Sequence, residues 1–167
     1  MSAAAAIITL DDYLRMSFEG PDAEYVDGEI VERPANDLPH VRVQQNLAEA
    51  FGPLRKSRGV KAGPSVQVRV SDQTIRVPDY CVFRSRPAQA VPAEPALLVV
   101  EIVSPSDSHS ALIRKLEDYR AWGAEHIWVI DPDLRRLSIY RLEGLIHVER
   151  LELAELEIVL GPADLFE

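Results

Sequence analysis

The sequence predicts an α/β fold in which a mixed central β-sheet is flanked by helices and preceded by an N-terminal helix and a β-hairpin. Apolar residues recur at helical spacing from about His40 to Ser57, switch to a period of two from Ser65, and return to helical spacing from about Ser110 to Trp122. The apolar strand HIWVIDP then follows, stopped by Pro132. With 167 residues, 47% of them hydrophobic, no internal repeat and no long linker, residues 1–167 are expected to form a single domain.

Each element has a local reason. TLDDYLRM reads as a short helix with Thr9 as N-cap and acidic residues in its first turn. AEYVDGEIVERP reads as two strands joined through Asp27-Gly28, a pair that favours a type I′ turn. After the loop PANDLP, Val43, Leu47, Ala50, Phe51 and Leu54 mark one face of a helix that Gly59 closes. SVQVRV, TIRVPDYCVF and ALLVVEIVS read as three successive strands, the last after the loop RPAQAVPAEP. Gly123 ends the second long helix. RLSIYRL and IHVERLEL read as a hairpin around Glu143-Gly144, and IVLGPADLFE as a last short strand and turn.

Composition narrows the function. The lone Cys81 has no internal disulfide partner and reads as a core residue, as do Trp122 and Trp128. MSAAAAIITLDD lacks the basic flank of a targeting peptide, and no apolar run approaches the ~20 residues of a membrane span, so a soluble, cytoplasmic protein is expected. The net charge of −9 argues against strong non-specific nucleic-acid binding. Residues 40–86 nevertheless carry nine basic side chains against three acidic ones, which leaves open a cationic face or ordinary solvated charge. There is no phosphate-cradling glycine loop, zinc spacing or serine elbow.

Three charges do not suit their surroundings. Strand alternation places Glu101 on one face with Leu97, Val99 and Val103, where an unpaired buried carboxylate is costly. Lys115 lies on the same helical stripe as Leu112, Leu116 and Tyr119. Asp79 follows Pro78 at the start of a strand and is expected to point out of the sheet's rim. Two carboxylates and a lysine near strand ends suit a divalent-metal site that delivers water to a phosphate. On spacing alone Asp79 also reads as a turn residue, and Glu101 with Lys115 as a structural ion pair. Glu24 reads as a surface acid, His40 as a residue interacting with a helix end, and SPSDSHS around His109 as a capping loop.

The ordered series Glu24-Tyr25-Val26-Asp27-Gly28, His40 at a helix head, Val77-Pro78-Asp79, Val100-Glu101-Ile102-Val103-Ser104-Pro105-Ser106, Lys115, Tyr119 and Trp128-Val129-Ile130-Asp131-Pro132 resembles the Uma-two family of restriction endonuclease-like proteins, placed in the PD-(D/E)XK nuclease superfamily. The resemblance runs from about Leu10 to Leu142. It implies a restriction endonuclease-like fold and a Mg²⁺- (or Mn²⁺-) dependent endonuclease that hydrolyses DNA phosphodiester bonds. It also implies that Asp79 and Glu101 bind metal, that Lys115 is the catalytic lysine, that Glu24 is an additional catalytic and metal-binding acid, and that His40 and Tyr119 are supportive. The superfamily's usual lysine lies two residues after the acid; Val103 stands there, so Lys115 must reach the site from the next helix. By the same resemblance a homodimer is expected. Two other functions stay open: a non-catalytic binding protein that keeps the fold, and a metal-dependent hydrolase of a small phosphorylated molecule.

Overall fold

The computed structural model describes residues 8–19 and 23–167; residues 1–7, with the AAAA tract and most of the stretch tested for a targeting signal, lie outside it. Helix α1 (Leu10–Arg15) begins where Thr9 Oγ1 accepts the Asp12 N–H at 3.1 Å. Strands β1 (Glu24–Val26) and β2 (Glu29–Val31) form the expected hairpin, with φ of 50° at Asp27 and 91° at Gly28. Helix α2 (Leu38–Ser57) starts two residues before the apolar spacing indicates, because Asp37 caps it and Pro39 is accommodated in its first turn.

Strands β3 (Lys61–Pro64), β4 (Val68–Ser71), β5 (Thr74–Arg76), β6 (Tyr80–Phe83) and β7 (Leu98–Ile102) come next. Helix α3 (His109–Trp122) is capped by Ser108 and ends at Gly123, whose φ of 98° is left-handed. Strands β8 (His126–Asp131), β9 (Arg136–Arg141), β10 (Gly144–Val148), β11 (Leu151–Leu153) and β12 (Ile158–Leu160) lead to the terminal helix α4 (Pro162–Phe166).

The main sheet has the order β10-β9-β8-β7-β6-β3. Its one parallel pair, β7 with β8, is joined through α3, and its other pairs are antiparallel, so the sheet is mixed. A four-stranded sheet, β2-β1-β5-β4, carries the hairpin, and β11 pairs with β12. Val43, Leu47 and Phe51 of α2 pack with Leu98, Val100, Ile102 and Trp128 on one face of the main sheet. Leu116 and Tyr119 of α3 pack with Val99, Ile127 and Val129 on the other. Among the described residues no helix is long and apolar enough to cross a membrane.

Several local expectations are corrected. Strand β3 escapes the period-two pattern because Gly63 and Pro64 are poor strand residues; they are tolerated on the sheet edge. TIRVPDYCVF is two strands in two sheets, with the break at Pro78, which lacks a ladder N–H. IHVERLEL divides into β10 and β11, and the tail ends in a helix. Leu97 packs with Leu98 and Val100 on the α2 side, since strict alternation begins only at Leu98. Trp128 and Cys81 are buried as expected, whereas Trp122 is half-buried and donates its indole N–H to the Ala93 carbonyl at 2.8 Å.

Candidate active site

Strand pairing brings the first two acids together. Tyr80 of β6 lies opposite Val100 of β7, so one step along this antiparallel pair sets Asp79 beside Glu101 on the same face. Asp79 does not point out of the rim. It is buried: its Oδ2 accepts the Ile102 N–H at 2.7 Å, and Gln44 of α2 donates to its backbone carbonyl at 2.9 Å. The strand end thus turns the carboxylate inward, because the Ile102 N–H at the end of β7 offers a donor that water would otherwise supply.

Helix α3 supplies the cation that Glu101 requires. Lys115 and Tyr119, four residues apart, project from the same helical stripe. Lys115 Nζ lies 2.8 Å from Glu101 Oε2, and the Tyr119 hydroxyl donates to Glu101 Oε1 at 2.6 Å. The same Nζ is 3.2 Å from Glu24 Oε1. Lys115 therefore reaches the acids although Val103 occupies the superfamily's usual lysine place.

Glu24 is not a surface acid. It is buried in β1, where its Oε1 accepts the Val77 N–H at 2.9 Å and its Oε2 accepts from Arg76 at 2.8 Å. Tyr25 faces Ile75 across β1 and β5, so Glu24 and Arg76 are cross-strand neighbours. Arg76 extends its other contacts to Asp118 of α3 at 2.7 and 2.8 Å, tying the hairpin sheet to the helix. His40, in the first turn of α2, is buried with its Nε2 3.3 Å from Asp79 Oδ1.

The structure thus brings Glu24, His40, Asp79, Glu101, Lys115 and Tyr119 together, with all but Tyr119 lining a cavity of about 140 Å³. The sequence reading missed Arg33, Arg76 and Asp118 as members. Arg33, in the loop after β2, lies 2.6 Å from Asp79 Oδ1. Its only sequence signal is a position just past the hairpin that also supplies Glu24. Arg76 was legible as a cation flanked by Ile75 and Val77 in a strand, which requires a partner.

The sequence model of the Uma2 family, described as "Putative restriction endonuclease", matches residues 10–165. The chain belongs to the Uma2 family. A crystal structure described as a putative nuclease belonging to DUF820, from Anabaena variabilis, is similar to this chain, with 23% sequence identity and a TM-score of 0.82 over 95% of this chain and 97% of that one. That likeness establishes the restriction endonuclease-like fold for this Uma2 protein. No curated protein matches the chain.

Electrostatics divide the Uma2 site into two halves. Burial raises the Glu101 carboxyl to about 7; Lys115 opposes the rise, and the neighbouring Asp79 and Glu24 charges add to it. Burial also works against the charged forms of Asp79 and Glu24, but their polar and cationic neighbours prevail and hold both below the usual carboxylate range. His40, Lys115 and Arg33 act on Asp79, and Lys115, Arg76 and the Val77 N–H act on Glu24. Burial disfavours the Lys115 ammonium, yet Glu101, Glu24 and Asp79 together raise its pKa. Burial followed by the Glu101 charge pushes the Tyr119 phenol well above its ordinary range, so it serves as a hydrogen-bond donor.

A divalent ion is implied by the family resemblance. Among the described residues no group of three or more His, Cys, Asp or Glu side chains is already arranged around one ion position. Arg33 and Lys115 instead lie against the carboxylate oxygens. The donor chemistry nevertheless fits: Asp79 and Glu101 offer hard oxygens with further lone pairs, and both ring nitrogens of buried His40 lack a hydrogen-bond partner. Its 3.3 Å approach to Asp79 is close but not aligned for a hydrogen bond.

The basic segment 40–86 does not form one free cationic face. Arg76 is buried, Arg84 pairs with Glu125, Arg58 with Glu157 and Arg69 with Asp72. Arg42, Arg55, Lys56, Lys61 and Arg86 are exposed.

Proposed function

We propose that this Uma2 protein is a metal-dependent endonuclease that hydrolyses DNA phosphodiester bonds, working in the cytoplasm as a homodimer of single-domain chains spanning residues 1–167. The observation that carries the reading is Lys115 Nζ, 2.8 Å from Glu101 and 3.2 Å from Glu24, in the cavity that Asp79 also lines. A lysine reaching the acids from a helix restores the catalytic set that the linear spacing breaks.

In this reading Asp79 and Glu101, with Glu24 through water, would hold Mg²⁺ or Mn²⁺, and Glu24 also positions Lys115. The bound ion would stabilise charge developing on the phosphate and lower the pKa of its water. Lys115 orients the attacking water and supplies positive charge beside the phosphoryl oxygens. Tyr119 fixes the Glu101 carboxyl through Oε1, leaving Oε2 directed toward Lys115 and the cavity. Arg76 fixes Glu24 and thereby the position of Lys115. Exposed cations of the 40–86 segment, Arg42 and Arg55 among them, contact backbone phosphates, which makes binding salt-dependent.

The test is cleavage of supercoiled and single-stranded DNA by purified protein with Mn²⁺, Mg²⁺ or EDTA, beside Lys115→Ala and Glu101→Ala. Metal-dependent nicking that disappears in both variants is the expected result. Equal nicking by the variants identifies a contaminant and removes the support.

One observation favours a second reading, a non-catalytic binding protein that keeps the fold. Every carboxylate of the cluster already has a cationic partner, as in a structural ion-pair network. Mass action separates the two: an ion at 100 times its Kd adds about 2.7 kcal/mol to stability, whereas a closed network gains nothing. A thermal shift with Mn²⁺ that Asp79→Ala abolishes supports the nuclease; no shift supports the binding protein.

A further inference from the structure

We infer that His40 is a third protein ligand of the cation site, its Nε2 giving that site a preference for Mn²⁺ over Mg²⁺. The inference rests on the metal-dependent reading above and adds a ligand and a selectivity to it.

Three observations converge. His40 is only 2% exposed, and neither ring nitrogen has a hydrogen-bond partner. Leaving such a buried group unsatisfied costs about 1–3 kcal/mol, so its retention calls for an explanation such as an ion. Next, Nε2 lies 3.3 Å from Asp79 Oδ1 without hydrogen-bond alignment. Two ligands at right angles on an octahedral ion, with bonds of about 2.1 Å, stand about 3 Å apart, so the separation suits shared coordination. Finally, His40 lines the same cavity as Asp79 and Glu101.

The backbone holds the ring there. Asp37 Oδ1 accepts the His40 N–H at 2.9 Å and begins a 20-residue helix, so the imidazole sits on a rigid first turn. Asp79 Oδ1 also accepts from Arg33 at 2.6 Å, so ion binding trades a guanidinium contact for a coordinate bond on one oxygen. Among the described residues no three such side chains already surround one ion position, so binding in this proposal requires the cluster to rearrange, with Arg33 releasing Asp79 Oδ1. An imidazole nitrogen among oxygens favours a first-row transition ion over Mg²⁺, which keeps to oxygen donors.

The experiment uses the full chain with Mn²⁺ alone, read by the ¹⁴N coupling on bound Mn²⁺ in electron paramagnetic resonance and by calorimetric Kd values for Mn²⁺ and Mg²⁺. The expected result is ¹⁴N coupling in the wild type that disappears in His40→Gln. The Mn²⁺ Kd should weaken by at least about tenfold, the lower end for loss of even an outer-shell partner, while Mg²⁺ affinity changes less. Mn²⁺ that binds in an Asp79-dependent way without ¹⁴N coupling, or with coupling that survives His40→Gln, overturns the ligand and leaves the metal-dependent reading standing. Failure of Mn²⁺ to bind in any Asp79-dependent way overturns both. The wild-type spectrum alone decides the ligand if His40→Gln does not fold.

Discussion

Lys115 Nζ lies 2.8 Å from Glu101 Oε2, joining the central strand of the Uma2 fold to the helix that follows it. The lysine side chain is 16% exposed and the glutamate 6%, so water does little to screen the pair. Removing one partner leaves the other charge in an apolar layer, which typically costs 3–5 kcal/mol. Lys115→Met should fall near the lower end, about 3 kcal/mol, because Glu101 can take up a proton. A double-mutant cycle with Glu101→Gln, followed by urea denaturation, should show strong coupling. Additive single effects would show that the pair is not an energetic unit.

Glu101 also sets a pH dependence. Its carboxyl rises from 4.5 to about 7 in the folded protein, so the native state holds a proton that the unfolded chain has released. For a raised carboxyl, the contribution to stability is greatest below the unfolded value and is lost as pH climbs from 4.5 to about 7. The loss amounts to about 3 kcal/mol across that window. Asp79 and Glu24, both lowered, act oppositely: their contribution is present above their unfolded values and is lost as acidification passes their folded ones. Denaturation midpoints between pH 4.5 and 8 should therefore fall more steeply for wild type than for Glu101→Gln. Parallel curves would contradict the upward shift.

Arg76 carries a different burden, since one guanidinium serves both Glu24 and Asp118. A planar fork can satisfy both carboxylates at once, whereas an ammonium cannot reproduce that geometry. Arg76→Lys should destabilise the protein by about 1–3 kcal/mol although the charge is kept, and Arg76→Ala by about 3–5 kcal/mol. If Lys restores full stability in chemical denaturation, charge alone is what the site needs.

The sequence made the frame of this site legible, and the limits of that legibility are physical. Periodicity located β7 and α3, and so identified Glu101 and Lys115 as charges on apolar faces. It could not show that Asp79 turns inward, because that depends on pairing β6 with β7 and on a donor at Ile102. Glu24 read as a surface acid because its strand is only three residues long; its burial comes from β5, fifty residues away, and from Arg76. Arg33 lies in a loop with no period to violate, so only the fold reveals its contact with Asp79. The break at Pro78 was visible as a missing N–H, yet the transfer from one sheet to another is decided by long-range pairing.

Tyr119 tests whether the Glu101 carboxyl must be held as well as charged. Its hydroxyl donates to Oε1 at 2.6 Å, is fully buried, and stays protonated because burial and the Glu101 charge push its pKa well up. Tyr119→Phe preserves the ring packing and deletes only that donor, so the Oε1 of buried Glu101 loses its hydrogen bond. A lost hydrogen bond to a charged group costs about 1.5–3 kcal/mol, and the penalty should be largest above pH 7, where Glu101 is ionised. Below that pH the protonated acid tolerates the loss better, and the carboxyl's own titration should move upward. Comparing the wild type and Tyr119→Phe by denaturation at pH 5.5 and pH 8 checks both points. A penalty equal at the two pH values would mean that the hydroxyl supports packing rather than the carboxylate.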